Sequence, residues 1–181
     1  MTEDLIGRVR RLLVSPVTEW DAIDGEPANM GDIYKGYVIP LVVFAAVCSG
    51  IGGLWLGAGI LLTIRSIILS VILGLAGVYL IALIIDGLAT TFGAQKNFGQ
   101  AFKVAAYAPT AGWVASVFNI IPFLAIIGLI AGLYSLYLMY LGLPKLMRSP
   151  ADKAVMYTVT VIACVFVVAV VAVVLLLPLL Y

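Results

Sequence analysis

The chain has no histidine and only two cysteines among its 181 residues. Without imidazole it lacks the commonest metal ligand and the usual general base, and a Ser-His-Asp triad is impossible. Cys48 and Cys164 each stand alone among apolar residues, with no CxxC pair, so zinc and thiol-redox chemistry lack their minimum parts. Charge is equally scarce, at 10% of residues, and 10 Lys+Arg against 9 Asp+Glu leave a net charge of +1. That balance holds no basic excess of the kind a nucleic-acid binder uses. Glycine is plentiful at 18, yet neither GxGxxG nor GxxxxGK[ST] occurs. A membrane aspartyl protease needs two carboxylates within the membrane, and this chain offers one. These absences predict a protein that is not an enzyme, with no catalytic residue, no metal ligand and no cofactor.

What is abundant is apolar surface: 64% of residues, with a mean hydropathy of +1.20. A soluble domain runs at about 45–50% apolar and about 25% charged, so a single soluble core cannot hide this much. The charges are spaced to match. Uncharged runs of 29 residues (Lys35 to Arg65), 20 (Arg65 to Asp86), 41 (Lys103 to Lys145) and 28 (after Lys153) divide the chain. A bilayer core about 30 Å thick takes about 20 helical residues. The longest run would make a rod of about 60 Å, so it must fold back, with turn chemistry at Asn119 to Pro122. Five spans result, at about 34–57, 64–91, 99–118, 121–143 and 154–179. A rival four-span arrangement makes residues 100–118 a re-entrant piece.

Basic residues set the orientation. With the N-terminus inside, Arg8, Arg10, Arg11, Lys35, Lys96, Lys103, Lys145, Arg148 and Lys153 all fall inside, and only Arg65 falls outside. The C-terminus is then outside. Seven carboxylates among the first 32 residues argue against a cleavable signal peptide. Leu5, Ile6, Val9, Leu12 and Leu13 recur at helical spacing, with Arg8, Arg10 and Arg11 mostly on the other flank, predicting a short amphipathic helix closed by Ser15-Pro16. A second short helix is predicted from Thr18, as N-cap, to Ile23. Both fit the inner headgroup zone and equally a cytosolic site against the protein's own loops. Residues 24–32 read as a linker. Tyr34, Tyr37, Phe98, Phe102, Tyr140 and Tyr157 are placed at the inner interface, and Trp55, Trp113, Phe118, Phe123 and Tyr181 at the outer one, as a belt.

Asp86 is the one acid inside a predicted span, where an ionisable group is costly unless paired or hydrated. The short connection 93–98 makes the second and third spans antiparallel neighbours, and this predicts that Asp86 meets Lys103 near the inner face. Two readings stay open: a proton or cation site at Asp86, or a structural clasp with Lys103 snorkelling. Pro109 predicts a kink by removing a hydrogen bond to the Ala105 carbonyl. Close helix packing is expected over the small residues of two GxxxG patterns, Gly53/Gly57 and Gly128/Gly132, and over the stripe Ala101, Ala105, Ala108, Gly112 and Ala115. The stripe puts the third span at the centre of the bundle. The valine-rich fifth span lacks such stripes and reads as lipid-facing or dimeric.

Residues Gly99 to Pro109 (GQAFKVAAYAP), then Ile121-Pro122 and later Leu141 to Leu146 (LGLPKL), resemble the Yip family of Rab-interacting membrane proteins, in its bacterial branch. Ser15-Pro16, Trp20, Ile23 and Tyr37 to Pro40 (YVIP) extend the likeness over about residues 10–160. The resemblance implies five helices and a cytosolic N-terminus. Eukaryotic relatives act in vesicle trafficking beside prenylated small GTPases and carry an Asp-Leu-Tyr-Gly-Pro type motif in a long cytosolic N-terminal region. Here Asp32 to Gly36 (DIYKG) is a poor substitute, and a Rab-type partner is not carried over.

The expectation is therefore an all-α polytopic integral membrane bundle with five transmembrane helices and a short amphipathic N-terminal helix. Residues 1–32 form a cytosolic or interfacial segment and 33–181 the transmembrane domain. The membrane is a bacterial cytoplasmic (inner) membrane. Two functions compete. One is a non-enzymatic organiser or adaptor contacting membrane lipids, other membrane proteins or a second copy of itself. The other is a small-solute or ion permease or channel, with Asp86, Lys103, Tyr107 and the Pro109 kink lining an inner vestibule. A dry, tightly packed interior favours the first; a water-filled cavity reaching Asp86 favours the second.

Overall fold

Every described element is helical, and proline, glycine and asparagine mark several of the boundaries. A computed structural model describes residues 5–180, and the side chains of 122, 125, 173 and 175–180 lie outside the description, as do residue 181 and the interface role expected for it. Helix α1 (Leu5–Val14) and α2 (Pro16–Gly25) form a hairpin around Ser15. Ser15 is the N-cap of α2 and Pro16 its first residue, where a missing N–H costs nothing. The start expected at Thr18 is thus displaced to Pro16, and the Thr18 hydroxyl instead donates to the Ser15 carbonyl at 3.0 Å.

Helix α3 (Met30–Trp55) starts under Asn29, whose side chain accepts the Asp32 N–H. It contains a π turn at Tyr34–Val38 just ahead of Pro40. A proline ring crowds the carbonyl four residues back, and the wider turn relieves that crowding. Gly57, at φ +86°, ends α3 in a left-handed turn. Helix α4 (Ile60–Ala89) then runs back along α3, with Val42 against Gly74 and Ile67 against Gly50. It continues as a 3-10 turn, Thr90–Phe92, and stops at Gly93, φ +69°.

The third expected span is broken. Helix α5 (Phe98–Tyr107), capped by Asn97, is followed by α6 (Thr110–Ala115) and by a 3-10 stretch, Ser116–Ile120. Pro109 has no N–H for the ladder, and Thr110 and Ser116 turn their hydroxyls back onto the Tyr107 and Trp113 carbonyls. This broken path lies beside α3: Thr110 meets Tyr37, and Asn119 donates to Ser49 at 3.2 Å. Helix α7 (Ala125–Leu146) returns, and α8 (Ala151–Leu180) completes the order. Four helices are long and apolar enough to cross a membrane: Met30–Trp55, Ile60–Phe92, Ile126–Leu146 and Ala151–Ala172. A fifth uninterrupted crossing helix is not among them.

The broken path is the core of the bundle. Residues 101–108 are all buried, and Ala101, Ala105, Ala108, Ala111 and Ala115 let the surrounding helices approach. The tightest backbone approach falls at Gly52, where any Cβ would strike the Asn119 carbonyl. Gly53 meets only Ala58, and the space at Gly57 and Gly132 is open. Gly57 shapes a turn rather than a contact. Gly128 lies against Asn119 and Gly112 against Ser135. The interface belt also differs from expectation. Tyr37, Phe102 and Tyr157 are buried, because their rings pack on Tyr107, Tyr34 and Phe92 respectively.

Candidate functional site

The expected amphipathic pattern of α1 placed its arginines outward, yet Arg8 faces in and is 5% exposed. A buried guanidinium is tolerable only when paired, and α2 and its C-cap residue supply the partners. Arg8 Nη2 meets Glu26 Oε1 at 2.7 Å and Nη1 lies 3.4 Å from Glu19 Oε1. Arg11 Nε donates to the other Glu19 oxygen at 2.7 Å. Glu19 itself is 3% exposed. The guanidinium of Arg8 also sits 5.4 Å from the Tyr107 ring centroid, in cation–π range.

Lys103 completes the cluster from the bundle side. Its ammonium donates to the Ile23 carbonyl at 2.8 Å and to the Glu26 carbonyl at 2.5 Å. These are groups at the C-terminal end of α2, where carbonyls lack intrahelical partners and the helix dipole favours a cation. The expected Asp86–Lys103 pair is therefore not formed. Lys103 is turned towards α2, and Asp86 lies instead 4.0 Å from Lys96, a residue of the connection that follows its own helix. Asp86 is 9% exposed, and its Oδ1 has no hydrogen-bond partner among the described residues. Beside it the Tyr157 hydroxyl donates to the Ile85 carbonyl at 2.5 Å.

Five further contacts seat the hairpin. Trp20 lies flat against Gly142 of α7, where a Cβ would come within 2.5 Å of the indole. Its ring meets Tyr107 edge-on at 6.5 Å. Asp21 pairs with Lys145, and Asp24 with Arg148 at 2.8 Å. At the other end of the hairpin, Tyr134 donates to the Leu13 carbonyl at 2.8 Å. Deeper in the bundle, the Tyr37 and Thr110 hydroxyls are 2.7 Å apart, and the rings of Tyr37 and Tyr107 are 4.7 Å apart.

Of the four site residues expected from sequence, Lys103 and Tyr107 come together, Pro109 follows on the same path as the break between α5 and α6, and Asp86 is apart. Arg8, Glu19, Glu26, Trp20, Tyr37 and Thr110 were not anticipated. A signal was present: two short helices joined at Ser15-Pro16, one basic and one acidic, pair their opposite charges when folded back. No group of three or more metal-ligating His, Cys, Asp or Glu side chains occurs among the described residues. The arrangement holds a helical hairpin against the bundle.

Long apolar helices closed at one end by a charged hairpin define a multi-pass membrane protein. The chain belongs to the Yip1 domain family, whose model matches residues 10–173. No curated protein and no solved structure matches it.

Proposed function

We propose that this Yip1-domain protein is a non-enzymatic membrane organiser or adaptor, which contacts lipids and other membrane proteins through its packed helices and basic inner loops. The observation that carries this reading is the use of Lys103 and Tyr107. The groups that would line an inner vestibule are spent on the α1–α2 hairpin, and residues 101–108 are buried throughout. The proposed setting is a bacterial inner membrane, with five crossings, N-terminus in the cytoplasm and C-terminus outside. The broken path 98–120 supplies the third crossing. Its support is that this path accompanies α3 from Tyr37 to Ser49, and that nine of the ten basic residues then lie inside. A topology reporter fused after residue 181 should be active only on the outer side.

The permease reading keeps one favourable observation, the unpartnered buried oxygen of Asp86. Purified protein in proteoliposomes, screened for ion and solute flux beside Asp86→Asn, separates the two. The organiser reading predicts no flux above empty vesicles for either protein. Flux that disappears in Asp86→Asn overturns it.

A further inference from the structure

The α1–α2 hairpin stands beside α7, and the contacts along α7 give its depth. Its open end is at Lys145 and Arg148, paired with Asp21 and Asp24. Its closed end is at Tyr134, bonded to Leu13. The exposed apolar surface of α7 runs from Ile126 through Leu129, Ile130, Leu133 and Leu136 to Tyr140, so the apolar band ends near Tyr140. Tyr134 is six residues inside that edge, about 9 Å at the helical rise. Helical side chains lean towards the N-terminus of their helix, which in α7 is the far end, so the Tyr134 hydroxyl is at least that deep. The turn of the hairpin is therefore below the edge of the apolar band. It is dressed for that position: Val14 is 73% and Val17 58% exposed, on either side of Ser15-Pro16.

Arg10 lies one helical turn behind Val14, about 6 Å back towards the edge. It is exposed and has no ion pair among the described residues. Gly7, Arg10, Arg11, Val14 and Ser15 line an open recess of about 340 Å³ there. An arginine at the rim of an apolar band, above two exposed valines, matches a phospholipid: phosphate at the guanidinium, acyl chains around the turn. Amphipathic helices of this kind bury their apolar face about 5–10 Å into the boundary region.

We propose that the α1–α2 hairpin is inserted into the leaflet on its own side, with Val14 and Val17 among acyl chains and the Arg10 recess holding the headgroup of an anionic phospholipid. This gives chemical content to the lipid contacts of the organiser reading and rests on them. Full-length protein with Cys48 and Cys164 replaced by alanine, carrying Val14→Cys or Gly25→Cys labelled with NBD, is placed in nanodiscs of phosphatidylcholine brominated at shallow or deep chain positions. The Val14 label should be quenched more by shallow than by deep bromine, and the Gly25 label by neither. A Val14 label as unquenched as Gly25 overturns the insertion. In nanodiscs of phosphatidylcholine and phosphatidylglycerol, Arg10→Gln should lower the enrichment of retained phosphatidylglycerol about fivefold, the worth of one basic side chain near a charged surface. Because Arg10 is exposed, the fold should be unchanged. Equal enrichment in wild type and Arg10→Gln overturns the headgroup site. Neither result depends on flux, so failure here and failure of the organiser reading are distinguishable.

Discussion

The two ends of the bundle are built from different chemistry. At the hairpin end, Arg8, Glu19 and Lys103 are each no more than 5% exposed and are paired with charged neighbours or a helix terminus. At the opposite end the one charged side chain among the described residues is Arg65, which is exposed. Contact there is made by the approach of the Gly52 backbone to the Asn119 carbonyl, by the Ile67 side chain on Gly50, and by a neutral side-chain bond from Asn119 to Ser49. Close packing over small residues suits a stretch with no water to drive association. Buried ion pairs suit a junction that must be specific, because each partner alone is penalised heavily. The difference teaches that the hairpin is fastened as part of the bundle by electrostatics, while the far end is held by shape.

That contrast can be broken by substitution, and the largest effect falls at the hairpin end. Glu19→Ala strands Arg8 and Arg11 beside one remaining carboxylate, and thermal unfolding in detergent should register a loss of about 3–5 kcal/mol, the range for breaking a buried pair. At the far end, Gly52→Ala drives a methyl group into backbone and should cost about 2 kcal/mol, within the range for overpacking. Thr110→Val removes the partner of the buried Tyr37 hydroxyl and should cost about 1 kcal/mol, measured in the same assay. Gly53→Ala, one residue from Gly52 but open on its outer side, should change stability by no more than about 0.5 kcal/mol. If Gly53→Ala proves the more damaging of the two glycine variants, the far end is packed in another register.

The spacing of charges made the four long helices readable, because lipid tolerates few ionisable groups and the chain obeys that limit openly from Lys35 onward. The break at Pro109 was readable too, since a missing N–H acts wherever it falls. The partners of Lys103 were not. The short connection after Gly93 pointed to Asp86, whereas the atoms that hold the ammonium are main-chain carbonyls at Ile23 and Glu26, which carry no mark in a sequence. Arg8 was missed for a related reason. Helical periodicity sorts residues by polarity and sends arginine outward, but here its partners, buried Glu19 and half-buried Glu26, lie on the inward side. The glycines show the limit of a local motif: GxxxG names Gly53 and Gly57, while the register of α3 against the 3-10 stretch puts the contact at Gly52.

The claim that the α1–α2 hairpin is an integral part of the bundle is tested most directly by amide hydrogen exchange of the full-length protein in nanodiscs. Amides of residues 9–14 and 19–25 should be protected to a degree comparable with residues 101–107, and Glu19→Ala should strip that protection from the hairpin while leaving most of it in α5. Hairpin amides that exchange in the wild type as fast as an unstructured segment would contradict it.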